Sequence, residues 1–249
     1  MINSDQSLGI WQIINSAIIT DIIAKSGFDF VIVDLEHGMH STESVQNCLN
    51  ASKASSIKTI VRFPNDSYSN LVQTIDTGVD AIIFPKIETK DQLNKIIKQS
   101  FLFPIGERSF SPFVPRFNYG SKKSKTNLNP SLGILIESCL GIKNLSGLLN
   151  NHYVDFIYFG AYDLSVELGK PGEIFDEEIL KNLKYVIENV KIKDKKIMSL
   201  YRNKKELETL ISMGVNYPVA SVDTSQIMQK FTDLSKDYCQ IKNNLEIFK

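Results

Sequence analysis

Short runs of apolar residues alternate with longer amphipathic stretches along this chain. The apolar runs fall at residues 9–12, 30–35, 59–63, 81–87, 133–136, 156–160, 196–200 and 219–222. Runs this short, with little polar alternation, predict strands buried on both faces, as in a parallel sheet. Between them, residues 13–25, 42–54, 69–77, 90–98, 142–149, 177–190, 204–213 and 225–234 place their apolar positions at helical intervals. Eight strand–helix units predict an α/β chain closed into a (β/α)8 TIM barrel.

A recurring junction supports this order. Gly27-Phe28-Asp29-Phe30, Gly78-Val79-Asp80-Ala81 and Gly214-Val215-Asn216-Tyr217 each join a helical stretch to an apolar run. Val154-Asp155-Phe156 repeats the pattern without the glycine. Glycine closes a helix because it enters the left-handed conformation without steric cost, and a strand then begins. Thr89-Lys90-Asp91-Gln92 has the form of a capping box at a helix start. Residues 101–130 break the rhythm with four prolines, yet carry Phe103, Phe110, Phe113, Phe117 and Tyr119. So long an irregular stretch predicts a functional loop, here a lid or pocket wall. Within it, Lys122-Lys123-Ser124-Lys125 reads as a solvated loop.

Composition narrows the class. The 249 residues suit one barrel domain, residues 1–249, with a C-terminal helical segment. Lys plus Arg and Asp plus Glu both number 28, so nothing draws the chain to nucleic acid or to an anionic membrane. Cys48, Cys139 and Cys239 lie far apart, which argues against a disulfide framework or structural zinc and fits a reducing compartment. Met1-Ile2-Asn3-Ser4-Asp5 has no basic region leading into an apolar stretch. No apolar run reaches the roughly 18 residues of a membrane span. A cytoplasmic protein is expected. The chain has no Gly-x-x-x-x-Gly-Lys loop and no Gly-x-Ser-x-Gly elbow, which counts against nucleotide-binding and serine-hydrolase classes.

The candidate chemistry sits where predicted strands end in charge. Asp34, Glu36 and His37 close the second strand, Arg62 the third and Glu137 the fifth, and Asp163 lies just past the sixth. In a parallel barrel these positions share one mouth, where such folds keep their active sites. Glu137 and Asp163 suit a hard divalent ion such as Mg²⁺ or Mn²⁺. The plainer alternative has both acids capping helices or pairing with lysines, and Asp163-Leu164-Ser165 has the form of a helix start. His37, three residues after Asp34, suits a general base whose tautomer a carboxylate fixes. The alternative is an ordinary strand-end histidine; His40 and His152 lack a comparable setting. Glu36 is either a third acid of the site or a bond to loop backbone. Arg62 is either a bidentate clamp for a carboxylate or a structural ion pair. Arg108 is a second candidate anion contact. Lys86 is a Schiff-base candidate, although Pro85-Lys86 offers no evident desolvating pocket.

Taken in order, Gly27-Phe28-Asp29-Phe30 leading to Asp34-Leu35-Glu36-His37, then Val61-Arg62, Pro104-Ile105-Gly106-Glu107-Arg108, Glu137 and Gly160-Ala161-Tyr162-Asp163-Leu164-Ser165, resembles the HpcH/HpaI aldolase family. These are class II, metal-dependent aldolases of pyruvate or a related 2-oxo acid, such as the 2,4-dihydroxyhept-2-ene-1,7-dioate and 4-hydroxy-2-oxovalerate aldolases. The resemblance runs from about Gly9 to Thr224. It implies a barrel of the phosphoenolpyruvate/pyruvate type, with Mg²⁺ or Mn²⁺ (Co²⁺ as a further option) on Glu137 and Asp163. It also implies Arg62 on the 2-oxo acid and its enolate, and His37 with Asp34 as the acid–base pair. Arg108, Leu135, Ala161 and Tyr162 would meet substrate, and Asp76 matches a position that serves a neighbouring subunit's site. Members are commonly hexamers with an exchanged C-terminal helix, so a homo-oligomer is expected, a hexamer first and otherwise a trimer or dimer.

Departures from the pattern bear on substrate. Leu135 stands where the family often has Gln, Ala161 where it usually has Pro, and Arg108-Ser109-Phe110-Ser111 where it has Arg-Gly-x-Gly. The metal core is expected to be kept and substrate recognition altered. The expected activity joins or cleaves a carbon–carbon bond between a 2-oxo acid enolate and an aldehyde. The alternatives are a non-catalytic metabolite-binding or assembly barrel, and a lyase acting on a CoA-ester or phosphonate-type substrate.

Overall fold

The computed structural model describes residues 6–64, 68–121 and 128–246. Eight parallel strands pair in chain order and the last closes on the first, giving the expected barrel. The strands are β1 (Gly9–Gln12), β2 (Phe30–Asp34), β3 (Lys58–Arg62), β4 (Ala81–Phe84), β5 (Ser131–Ile136), β6 (Phe156–Phe159), β7 (Lys196–Tyr201) and β8 (Tyr217–Val222). The helices between and after them are α1 (Ala17–Lys25), α2 (Thr42–Ala54), α3 (Tyr68–Asp76), α4 (Lys90–Ser100), α5 (Cys139–Lys143), α6 (Leu145–Leu149), α7 (Ala161–Glu167), α8 (Glu177–Ile192), α9 (Lys204–Met213) and α10 (Asp223–Glu246). Strand residues such as Val31, Ile32, Ile82, Ile134 and Ile157 are fully buried, because helices cover the sheet outside and side chains fill it inside.

The recurring junction is a structural repeat. Gly27, Gly78 and Gly214 take φ of 90°, 93° and 99°, turning the chain out of α1, α3 and α9. Two residues later a polar side chain ties the start of an even-numbered strand to the odd-numbered strand before it. Asp29 accepts the Leu8 N–H at 2.7 Å and Asp80 the Thr59 N–H at 3.0 Å. Asp155 accepts the Leu132 N–H at 2.8 Å, and the Asn216 amide oxygen the Ile197 N–H at 3.1 Å. Lys58 adds an ion pair to Asp80 at 2.8 Å. These bonds occupy the end of the barrel opposite the mouth.

Several local predictions need correction. α1 starts at Ala17 rather than at residue 13, because Ser16 is the N-cap and the Ile13 and Ile14 N–H groups donate to the Asp223 carboxylate at 3.1 and 3.0 Å. The single helix expected at 142–149 is two, split at Asn144. α10 runs well past residue 234. The capping box at Thr89 forms: its hydroxyl accepts the Gln92 N–H at 3.2 Å while the Gln92 side chain accepts the Thr89 N–H at 3.0 Å.

Among the described residues, none of the proline-rich segment lines the cavity at the barrel mouth. Its described part is fastened to α3 and α4 by two buried arginines. Arg116 donates to the Ile75 and Val79 carbonyls at 2.7 and 2.6 Å, stitching the segment to the C-terminal end of α3. Burial and the neighbouring Arg108 push the Arg116 pKa down to about 10. The Lys122–Lys125 cluster and Met1–Asp5 lie outside the described residues. No helix among the described residues is long and apolar enough to cross a membrane.

Candidate active site at the barrel mouth

A cavity of about 230 Å³ opens at the C-terminal ends of the strands. Asp34, His37, Arg62, Leu135, Glu137, Ala161, Tyr162 and Asp163 all line it, so most of the sequence-chosen residues converge. Arg108 and Asp76 do not. The Arg108 side chain is wholly buried and donates to Ser100 O (2.9 Å), Leu128 O (2.8 Å) and the Asp76 carboxylate (3.1 Å). Within this chain it is a structural arginine rather than an anion contact, and Asp76 is its partner. Burial pushes Asp76 up, although both Arg108 and Arg116 pull the other way.

Glu137 follows β5 directly and is 5% exposed. Its Oε1 accepts the Lys86 N–H at 2.7 Å. Lys86 takes φ 53°, a left-handed conformation that costs a residue with a side chain on the order of 1–3 kcal/mol. The turn aims its N–H at Glu137, so its contribution to the site is backbone; the exposed side chain has no desolvated setting for a Schiff base. Gly160 makes room for the carboxylate. A Cβ there would lie 2.4 Å from Glu137 Cβ and 2.9 Å from Oε2. Burial first, then the charges of Asp163 and Glu36, push the Glu137 pKa up to about 7 despite the Lys86 bond. Asp163 lies in the first turn of α7, whose N-cap is Gly160, so it is not the cap itself.

No group of three or more His, Cys, Asp and Glu gathers as a metal cluster among the described residues. Magnesium-type sites, however, are commonly built on one or two carboxylates, with water and substrate oxygens completing the shell. Glu137 Oε2 has no protein partner among the described residues, and Asp163 is close enough to raise its pKa. The donor set fits a hard divalent cation in an open, substrate-completed site.

Arg62 forms the ion pair of its two predicted alternatives. It pairs in register with Asp34. Its Nε donates to Asp34 Oδ1 at 2.8 Å, its Nη2 to Asp34 Oδ2, and its Nη1 to Glu36 Oε2 at 3.1 Å. The guanidinium lies 4.5 Å over the Trp11 ring. Burial opposes its charge, but the Asp34 bonds and charge outweigh burial and raise its pKa. Three of its five N–H donors are taken, leaving one on each Nη of a side chain that lines the cavity.

The expected Asp34–His37 pair does not form. Asp34 Oδ1 accepts the Glu36 and His37 backbone N–H groups at 2.9 and 3.2 Å, and Arg62 takes the rest of the carboxylate. The His37 ring is exposed at the cavity edge, with no hydrogen bond among the described residues. His40 is the histidine that carboxylates face. Asp34 and Asp223 both act on it, its Nδ1 lies 3.3 Å from Ser44 Oγ, its Nε2 is buried without a partner, and burial lowers its pKa. It does not line the cavity.

Two cavity residues were missed in the sequence. Trp11 donates its indole N–H to the Tyr158 hydroxyl at 2.6 Å, and their rings meet edge-on at 5.2 Å. Burial raises the Tyr158 pKa. The available signals were weak: Trp11 is the chain's one tryptophan, and Tyr158 lies inside an apolar run next to Leu135 in register.

Comparisons with known proteins bear on the family and the fold. A family model described as HpcH/HpaI aldolase/citrate lyase matches residues 7–229. A 2-keto-3-deoxy-L-rhamnonate aldolase of Salmonella gallinarum is 22% identical over 224 residues, covering 88% of this chain and 84% of that protein. The crystal structure of the citrate synthase SbnG superposes with a TM-score of 0.86 at 25% identity, covering 97% of both chains. An HpcH/HpaI aldolase/citrate lyase family protein of Burkholderia cenocepacia J2315 superposes at 0.88 with 20% identity, covering 95% of this chain and 96% of that one. The chain therefore belongs to the HpcH/HpaI aldolase/citrate lyase family, and it is a carbon–carbon lyase.

Proposed function

We propose that this protein is a divalent-metal-dependent aldolase that makes or breaks a carbon–carbon bond between the enolate of pyruvate, or a related 2-oxo acid, and an aldehyde. The observation that carries this reading is the charge balance of the mouth. Asp34 and Glu36 already pair with the guanidinium of Arg62, and Glu137 and Asp163 line the same cavity. An anionic substrate entering that mouth calls for further positive charge. When bound at Glu137 and Asp163, Mg²⁺ or Mn²⁺ (or Co²⁺) supplies Lewis-acid polarisation of the 2-oxo group. The two remaining Arg62 donors hold the substrate carboxylate, while Asp34 and Glu36 fix the guanidinium in place. His37, exposed at the edge, moves the proton between the aldehyde-derived oxygen and solvent. Leu135, Ala161 and Tyr162 form the wall that excludes water.

The likeness to a rhamnonate aldolase supports this reading. A second reading, a lyase or synthase of a CoA-ester or citrate-type substrate, draws on the likeness to SbnG and on the apolar Leu135 at the cavity floor. Calorimetric titration with Mn²⁺ tests the metal. Micromolar-range binding that disappears in Glu137→Ala supports it, and unchanged binding in that variant overturns the assignment.

The same proposal includes a closed homo-oligomer, a hexamer first and otherwise a trimer or dimer. α10 leaves Met228, Phe231, Leu234, Tyr238 and Ile241 between 53% and 68% exposed, spaced as one helical stripe. Asp76 would then complete a neighbour's site. The free cysteines suit the cytoplasm. A fully active 28.1 kDa particle in light scattering would overturn the assembly.

A further inference from the structure

The floor of the mouth cavity carries a hydroxyl that the aldolase reading leaves unused. Tyr158 lies in β6, in register with Leu135 of β5, and both side chains line the cavity. The Tyr158 ring is 4% exposed. Its oxygen accepts the Trp11 indole N–H at 2.6 Å. An indole nitrogen is only a donor, so this contact fixes the direction of the bond and takes an oxygen lone pair. The tyrosine's own proton is not consumed by it, and no protein acceptor for that proton is present among the described residues. A phenol this deeply buried stays protonated at neutral pH. Its O–H is therefore a donor whose rotation Trp11 limits, standing in a cavity that carries charges of both signs.

Those charges say what it would meet. Arg62 and Glu137 line the same cavity, and both act electrostatically on Tyr158. The Trp11 ring that donates to Tyr158 also lies 4.5 Å beneath the Arg62 guanidinium. One indole thus holds two donors, a cation and a neutral hydroxyl, at the same floor. Leu135, level with Tyr158 on the next strand, offers no polar atom of its own. We propose that the Tyr158 hydroxyl donates a hydrogen bond to an anionic oxygen of the bound 2-oxo acid, with Trp11 as the positioning residue that aims it. This rests on the aldolase reading above and adds to it a specificity contact.

The test is pyruvate binding in the presence of saturating Mn²⁺, with Mn²⁺ affinity and thermal stability measured alongside. Tyr158→Phe keeps the ring and removes the donor. Loss of a hydrogen bond to a charged group corresponds to a roughly 10- to 100-fold weaker pyruvate Kd. Mn²⁺ affinity is expected to stay within twofold. Trp11→Phe, which frees the hydroxyl to rotate, is expected to weaken pyruvate by several-fold, and it serves as the test if Tyr158→Phe does not fold. A purely structural Tyr158 would lower the Tm of either variant and leave the pyruvate Kd of the folded protein unchanged, which overturns the proposal. A wild-type protein that binds Mn²⁺ but no 2-oxo acid overturns the aldolase reading and this proposal with it. Wild-type pyruvate binding with unaltered Kd in the variants overturns the Tyr158 contact alone.

Discussion

The two ends of this barrel use carboxylates in opposite ways. At the floor, Asp29, Asp80 and Asp155, together with Asn216, repeat one interaction four times, each accepting a strand-end N–H at 2.7–3.1 Å. At the mouth no two strand ends repeat. Asp34 holds Arg62, Glu137 takes one N–H from a strained Lys86, and Asp163 lies in a helix turn. The floor encloses a cavity of about 30 Å³, room for about one water, while the mouth opens one of about 230 Å³. At the floor the acids use an oxygen on strand backbone beside a cavity too small for substrate, and this holds even for Asp155, whose pKa burial also raises. At the mouth Glu137 combines a raised pKa with a substrate-sized opening, which makes it available for chemistry. The barrel separates the two tasks by putting them at opposite ends of the same strands.

Substitutions at the two ends should separate in the same way. The largest effect is expected for Glu137→Gln. Turnover should fall about 10³-fold or more, as on removal of a principal charge-stabilising group. Its Tm should be equal to or above wild type, because a buried charge is lost. A Tm drop without loss of turnover would make Glu137 a floor-type residue. Next comes Arg62→Lys, which loses the bidentate grip on Asp34. Steady-state assays should show turnover down about 10²-fold, with Mn²⁺ binding by calorimetry retained.

The raised Glu137 pKa gives a pH signature that belongs to the mouth alone. In the unfolded chain this carboxyl ionises near its ordinary value of 4.5, but in the fold it keeps its proton up to about 7. The folded state therefore binds more protons between those values. The metal-free protein should lose stability as pH rises through that window, by up to about 3 kcal/mol, and level off above it. Mn²⁺ affinity should rise over the same range, since metal and proton compete for one carboxylate. Denaturant unfolding of wild type and Glu137→Gln at pH 5 and 7.5 isolates this contribution, and parallel pH trends in both would contradict it. The smallest effect is expected at the floor. Asp155→Ala leaves the buried Leu132 N–H without its side-chain acceptor and should cost about 1–3 kcal/mol. That lowers Tm by roughly 2–4 °C per kcal/mol while kcat stays within twofold.

The floor was also the more legible end in the sequence. Its glycine–x–aspartate junctions are local, so they could be read one at a time, and all eight strands fall close to where the apolar runs predicted them. At the mouth the sequence placed Glu137, Asp163, Arg62 and His37 around one opening, because strand ends in a barrel converge. It did not show how they pair. Asp34 lies three residues from His37 but opposite Arg62 in register, and the cross-strand partner wins because it is buried and bidentate. Arg108 read as an anion contact because a charged residue in a loop gives no sign of being buried. Trp11 and Tyr158 were hidden among apolar residues, and only the register of β6 with β5 and the reach of β1 across the barrel bring them into the site. α7 was read only as an alternative helix start at Asp163, two residues past its true start at Ala161, because seven residues after a glycine leave too short a pattern to fix a helix.

The most direct measurement is the exchange of pyruvate methyl protons with deuterium, followed by NMR with Mn²⁺ present, since it reports enolate formation without the aldehyde partner. Wild type should exchange, and both chelation of the metal and Glu137→Gln should abolish exchange. Exchange that persists undiminished in EDTA or in Glu137→Gln, or a wild-type protein that catalyses none, would contradict a metal-dependent enolising site at the mouth.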